Sequence, residues 1–352
     1  MNLINYWEIA EKPNYFPMKR RSFLTKSAAV GLAPLSFETY RHSGRTEEAG
    51  AGILNEGAGS EDMVVEKFQP GLPHKGKVLA AIQPHCDDIP IFAGGTVAKL
   101  IKEGYTGYLI RTTNDDHAGR GASQGEVILN NEKDNEKVAA ALGLSKVYDL
   151  GYRNHRMNNI SMQELTARFI FLFRMLKVDT VVSYDPWGHY EENPDHYVTA
   201  SAVEAACWMA GGGLDYPEHK DAGILPHTVR EKYYYARGPQ LVNRIVDISE
   251  SLEQKVESNR VIVTQGPGGD AGIRLRDRLA EEGKTLPILE GSDENANRNY
   301  IKNIVLDIDS QRIRGVPSDR ETGKAFGLEW AEQFHYIGPR KSRLEEYIRL
   351  HN

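Results

Sequence analysis

From Lys77 onward the chain alternates short apolar runs with stretches whose apolar positions recur every three to four residues. Val78–Ile82 ("VLAAI") has strand length and is continuously apolar, and 105–113 ("YTGYLIRTT"), 146–151 ("KVYDLG") and 178–186 ("VDTVVSYDP") follow as further strands. Helical patterns stand between them. Pro90–Glu103 is closed by Gly104, with Lys99 and Lys102 in its last turns, and 125–143 stops at Gly143. The segment 161–177 ("SMQELTARFIFLFRMLK") has a strong 3.6-residue period, and 194–210 is the fourth helix. The runs 231–237 and 243–249 read as further strands at an edge of the same sheet. Strand–helix alternation needs crossover connections, so the pattern predicts an α/β fold with a mostly parallel sheet and helices on both faces.

Outside these elements the pattern fades. Residues 36 to about 70 lack periodicity and are rich in Gly, Ala and Glu, so 38–71 is expected to be a flexible linker and 72–352 a single domain. Residues 265–300 are polar and glycine-rich, and read as a solvated insertion rather than a lid. Near the N-terminus, Arg20-Arg21 precede Phe23-Leu24, then Lys26 and a short apolar stretch from Ala28 to Leu35. That order predicts a twin-arginine-like export signal over 1–37, with Met18 as an alternative start and a periplasmic or extracellular destination. A basic surface helix is the competing reading.

Composition narrows the class. At 352 residues, 40% hydrophobic and 26% charged, the chain has the make-up of an ordinary globular protein with a sizeable core. A net charge of −6 argues against a nucleic-acid partner. Two cysteines, Cys86 and Cys207, allow one bridge at most, and no apolar run reaches the roughly 18 residues of a membrane span. Oligomeric state is not legible.

The candidate chemistry sits at two strand ends, where ligands collect in open parallel sheets. "PHCDD" ends the first strand and "DPWGHYEENPDH" the fourth. His85 and Asp88, three apart on a strand-to-helix turn, can converge on one point, and His196 completes two imidazoles and a carboxylate. That set suits zinc with one position left to water, and equally ferrous iron. Asp87 then stays free to take a proton from that water. Taken singly these residues have plainer readings. Asp88 before Pro90 can be a helix N-cap, His196 an ordinary first-turn histidine, and Asp195 a carboxylate favoured by the helix dipole.

"PHCDDIPIFAGGTVAKL" resembles the "AHPDDE…GGT" signature of the PIG-L/LmbE-like zinc-dependent de-N-acetylases, and "NPDH" resembles that family's "HPDH". Fragments such as "TTNDDHAG", "VDISESLEQKVES" and "AFGLEWAEQF" extend the resemblance over roughly Lys77–His335. It implies a Rossmann-like catalytic domain with His85, Asp88 and His196 as metal ligands and Asp87 as base. It further implies a small-molecule or glycan substrate whose acetamide is hydrolysed to acetate and an amine. A cation so placed lowers the pKa of its water from 15.7 to about 7.

Four departures bear on this expectation. Cys86 replaces the usual proline, as a further thiolate ligand or a small buried filler. Ile89 replaces a glutamate. Asn193 replaces the first histidine of "HPDH", and asparagine donates a hydrogen bond but delivers no proton; either Asp87 carries both proton steps, or His189 or His117 substitutes, or activity is low. Asn154 stands where the family often has aspartate. Asp116 and His117 are candidates for contacting sugar hydroxyls or shuttling protons, and Trp187 and Tyr190 for an apolar sugar platform. Two rival functions remain: a metal-containing carbohydrate-binding protein without catalysis, which Asn193 favours, and a phosphoesterase, which would normally need two metals about 4 Å apart.

Overall fold

The computed structural model describes residues 63–339 and 342–352. The expected export signal and most of the expected linker lie outside the described residues. Eight strands are formed: β1 (Val64–Glu66), β2 (Val78–Gln83), β3 (Thr106–Thr113), β4 (Lys146–Tyr152), β5 (Thr180–Tyr184), β6 (Glu231–Tyr235), β7 (Arg244–Asp247) and β8 (Ala331–Ile337). They make one sheet in the order β1-β7-β8-β6-β5-β2-β3-β4. All pairings are parallel except those of β8 with β6 and β7.

The helices are α1 (Asp88–Phe92), α2 (Gly94–Lys102), α3 (Gln124–Leu142), α4 (Met162–Leu176), α5 (Pro194–Met209), α6 (Glu218–Asp221), α7 (Leu252–Arg260), α8 (Ala271–Glu281), α9 (Asp293–Asn299), α10 (Ser310–Arg314), α11 (Asp319–Ala325) and α12 (Arg343–His351). Side chains alternate across β2 and divide the interior in two. Leu79 and Ala81 face a core shared with α2, α3 and α7, while Ala80 and Ile82 face a core shared with α4 and α5. Among the described residues no helix is long and apolar enough to cross a membrane.

The sequence pattern and the structure differ in three places, each for a physical reason. The single helix expected over Pro90–Glu103 is two helices, broken at Ala93. The second starts afresh because buried Glu332 on β8 accepts from the backbone N–H groups of Gly95 and Thr96, at 2.9 and 2.8 Å. Gly95 is required there, since a Cβ would stand 2.7 Å from the Ile248 side chain. Second, Val64–Glu66, within the expected linker, pairs in parallel with β7. Three residues are too few to show a period. Third, 265–300 is not simply a solvated insertion. It contains α8 and α9 and buries Leu289 and Ala296 completely.

Candidate active site

From β2 the chain runs outward through β3 and β4, then returns to place β5 on the other side of β2. The carboxyl ends of β2 and β5 are therefore the point where the connections diverge and a crevice opens. The turn after β2 is tightly held. Gln83 at the strand end accepts from the Ile89 N–H at 3.0 Å and donates to Asn135 at 2.8 Å. Asp115 accepts from the Cys86 N–H at 3.1 Å, and Asp88 from the His85 N–H at 2.8 Å. Asp115 itself is paired with fully buried Arg111 at 3.0 Å. The turn is held in one shape because the His85, Cys86 and Ile89 N–H groups each find a buried side-chain acceptor.

After β5 the loop ends at Asn193, whose side chain caps α5 by accepting from the Asp195 N–H at 3.0 Å, with Pro194 in the first turn. His196 follows one turn in and points at the β2 turn. His85 Nδ1 and His196 Nε2 are 3.1 Å apart. Asp88 places Oδ2 at 3.4 Å from His85 Nδ1 and Oδ1 at 3.5 Å from His196 Nε2. Two imidazoles and a carboxylate gathered within 3.1–3.5 Å suit a small divalent cation, whose ligand atoms at about 2.0–2.2 Å stand about 3.3–3.6 Å from each other. The 111 positions that separate the two histidines are closed by topology.

Each histidine has a carboxylate behind it. His85 Nε2 lies 3.0 Å from Asp195 Oδ2, which turns Nδ1 toward the cluster. Asp195 also accepts from the His155 N–H at 2.7 Å. His196 Nδ1 is 3.1 Å from Glu191 Oε2, a charge contact that falls outside hydrogen-bond geometry. Glu191 is in turn held by Arg237 at 2.8 Å. Tyr184 donates to Asp88 Oδ1 at 2.8 Å and stacks on His196, with ring centroids 4.2 Å apart. Asp195, Glu191, Tyr184, Asp115 and His155 were not among the sequence-based candidates for the site. Asp195 reads as a helix-dipole residue, and only its contact with His85 reveals more.

Electrostatics separate the two adjacent aspartates. Burial would raise Asp88, but His196 and His85 hold its carboxyl down to about 2. Burial and then the Asp88 charge push the Asp87 carboxyl up to about 7. Asp87 makes no side-chain hydrogen bond to another described residue and lines a pocket of about 270 Å³ with His85, Asp88, His196, Asn154 and Asn193. Gly266 covers it: with φ +67° and no Cβ, it approaches so closely that a Cβ would stand 2.8 Å from Asp87 Oδ2. The start of the expected solvated insertion therefore walls the pocket. Burial would lower His85, but its hydrogen bonds to Asp195 and Asp88 and the charges of Asp88 and Asp115 hold it well above 6.5.

The other candidates divide. Asn154 is buried in the pocket wall with both amide atoms unpartnered. Asn193 Nδ2 lies 3.3 Å from His196 Nε2, on the cluster side. Asp116 is buried but fully engaged, by the Arg153 side chain at 2.8 Å and the Asn154 N–H at 2.9 Å, so it shapes the wall rather than facing the pocket. His117 and His189 do not line the pocket, and neither do Trp187 and Tyr190. The expected substitution of His117 or His189 for the missing histidine thus has no direct geometric support. Asp88 is not the N-cap; Asp87 occupies that position without capping. Cys86 is a free, fully buried thiol, raised well above its ordinary value by burial, and packs in the core instead of joining the donor set.

Residues 80–207, which contain the whole donor set, match the family model described as PIG-L, GlcNAc-PI de-N-acetylase. Over that segment the chain is similar to the PIG-L family. It is 29% identical over 197 residues to a diacetylchitobiose deacetylase of Thermococcus kodakarensis, covering 54% of this chain and 71% of that protein. It is 24% identical over 231 residues to a 1D-myo-inositol 2-acetamido-2-deoxy-alpha-D-glucopyranoside deacetylase of Mycobacterium sp. (strain KMS), covering 53% and 73%. In fold it is similar to the N,N'-diacetylchitobiose deacetylase of Pyrococcus horikoshii, with TM-score 0.56, 23% identity and coverage of 74% and 84%. The 4-carboxy-2-hydroxymuconate hydratase GalB of Pseudomonas putida KT2440 has a similar fold too, at TM-score 0.52 and 15% identity over 76% and 98%. A PIG-L-like fold therefore does not by itself name a reaction.

Proposed function

We propose that this protein is a metal-dependent hydrolase that removes the acetyl group from an N-acetylglucosamine-type sugar or conjugate. His85, Asp88 and His196 hold the cation, zinc in our reading and ferrous iron as the alternative. The observation that carries the proposal is the convergence of those three donors beside a carboxyl, Asp87, that has no other partner. A bound divalent cation supplies Lewis acidity and a water acidified to about pKa 7. Asp87 is placed to take a proton from the attacking water and to return it to the departing amine; a carboxyl raised toward neutrality suits both steps. Asn193 Nδ2 donates to the carbonyl oxygen as charge develops on it. Asn154 offers its unpaired amide to a sugar hydroxyl, and Gly266 shields Asp87 from bulk water.

The test is metal analysis plus acetate release from N-acetylglucosamine conjugates by the mature chain. Asp87→Asn is expected to keep about one metal per chain and lose about 10²–10⁴-fold in turnover. Unchanged turnover would remove Asp87 as the base, and a metal ratio near two would favour the phosphoesterase. The absence of histidine at 193 favours one further reading, a carbohydrate-binding protein without catalysis; binding with no acetate release would establish it. We also propose export through the twin-arginine-type signal. A reporter fused to Met18–Phe37 should leave the cytoplasm, and indifference to Arg20-Arg21→Lys-Lys would remove that assignment.

A further inference from the structure

Beside the pocket lies a second, larger cavity of about 780 Å³, which shares Asn154 and His155 with it. The pocket alone is at the small end of ligand sites, which run about 300–1,000 Å³, so a substrate larger than one ring must extend elsewhere. The outer groove adjoins the pocket at Asn154 and His155. Its lining is unlike the rest of the molecule. In a chain of net charge −6, it contains no aspartate or glutamate, and carries Arg153, Arg156, His117 and His155 together with Asn158 and Tyr152.

The two arginines differ. Arg153 is half-exposed and tied to Asp116 at 2.8 Å. Arg156 is exposed, and among the described residues its guanidinium has no ion pair or hydrogen bond. The loop that carries them is set firmly. His155 is in the left-handed region at φ +59°, and its N–H is held by buried Asp195. The same carboxylate that orients His85 therefore also sets where Arg156 stands. Asn154, which lines both cavities, has two buried amide atoms with no partner among the described residues.

We propose that the outer groove is an anion-binding subsite. On the deacetylase reading, on which this rests, the substrate carries a carboxylate or phosphate on the unit next to the acetamido sugar, paired with Arg156 and assisted by Arg153. Guanidinium groups match both anions through paired N–H donors.

The test uses equilibrium binding and acetate release side by side, on the full mature chain. The probes are neutral N,N'-diacetylchitobiose, a disaccharide of N-acetylglucosamine linked to glucuronic acid, and N-acetylglucosamine 1-phosphate. Wild-type protein is expected to bind at least one anionic probe about tenfold tighter than the neutral one, the size of one charge-assisted contact. The carboxylate and phosphate arms decide which anion it is. In Arg156→Glu that ratio should fall to one or below, and about 0.5 M salt should erode it in the wild type. Equal affinity for neutral and anionic probes overturns the subsite, as does failure to bind any of them. So does a preference that survives Arg156→Glu, because the anion would then sit at the metal cluster. Acetate release with no anionic preference sinks the subsite alone. An Arg156-dependent preference with no acetate release sinks the hydrolase reading alone. Arg156 is exposed and unbonded, so its variant should fold, and a matching denaturation midpoint checks this.

Discussion

The two loops that meet at the donor cluster are built differently. The turn after β2 is four residues long and held by Gln83, Asn135, Asp88 and Asp115, all of them buried. The loop after β5 is longer, exposes Trp187, His189 and Tyr190, and is tied by the Arg237 pairs with Glu191 and Glu192, each at 2.8 Å. The first brings two donors and Asp87, the proposed base, in fixed register. The second brings one donor, His196, whose position depends less on its own loop than on the cap of α5 and the Tyr184 stack. Rigidity here comes from buried acceptors near in space, and only the short turn has them throughout.

That contrast can be broken in order of expected effect. His85→Ala removes a donor and leaves Asp195 and Asp88 facing each other's charge, so stoichiometric metal binding should be lost; retention of one tightly bound metal would show that the three donors are not the site. Asp115→Ala leaves Arg111 buried without that partner and frees the Cys86 N–H. Breaking a buried pair in this way costs about 3–5 kcal/mol, readable as a lower denaturation midpoint. The equivalent change in the support of the other loop, Arg237→Ala just after β6, should cost under about 1 kcal/mol because the pair is partly exposed. Equal losses would erase the distinction between the loops.

A finer comparison sets the two supporting carboxylates against each other. Asp195→Asn should weaken metal binding about 10–100-fold, since it removes the hydrogen-bonded partner that orients His85. Glu191→Gln should do less, because its contact with His196 is not a hydrogen bond. A larger effect from Glu191 would reverse that ranking. Protons enter as well. His85 is raised well above 6.5 by Asp195 and Asp88. In the metal-free protein it therefore contributes stability below the unfolded value, which is lost as pH rises through the folded one. Metal must displace that proton, so affinity should climb with pH and binding should release protons, measurable by calorimetry in buffers of different ionisation enthalpy. Trp187→Ala should give the smallest effect, a change in KM within about twofold, because Trp187 is exposed and outside the pocket.

The parts of the molecule legible in sequence are those where local pattern and packing agree. β2 through β5 are short apolar runs, α4 carries a clear 3.6-residue period and Gly143 marks the end of α3; these elements and α5 appear within a residue or two of the expected bounds. The residues of "PHCDD" and "NPDH" stood out because acids and imidazoles occur together at two strand ends, although each alone has a plainer reading. Asp115 and Asp195 did not, since each looks like an ordinary turn or helix-start carboxylate until its partner is known.

The sequence alone determined which side chains are available for chemistry and the order of strands and helices, because residue type and periodicity are local properties of the chain. The tertiary structure decided which of them meet. It placed β5 beside β2 so that His196 faces His85, put Glu332 under the start of α2, folded Gly266 over Asp87 and carried Arg156 to the mouth of the groove. These contacts join residues tens to hundreds of positions apart. They are set by sheet order and by the need to pair every buried polar group, conditions that belong to the packed molecule and to no single segment of it.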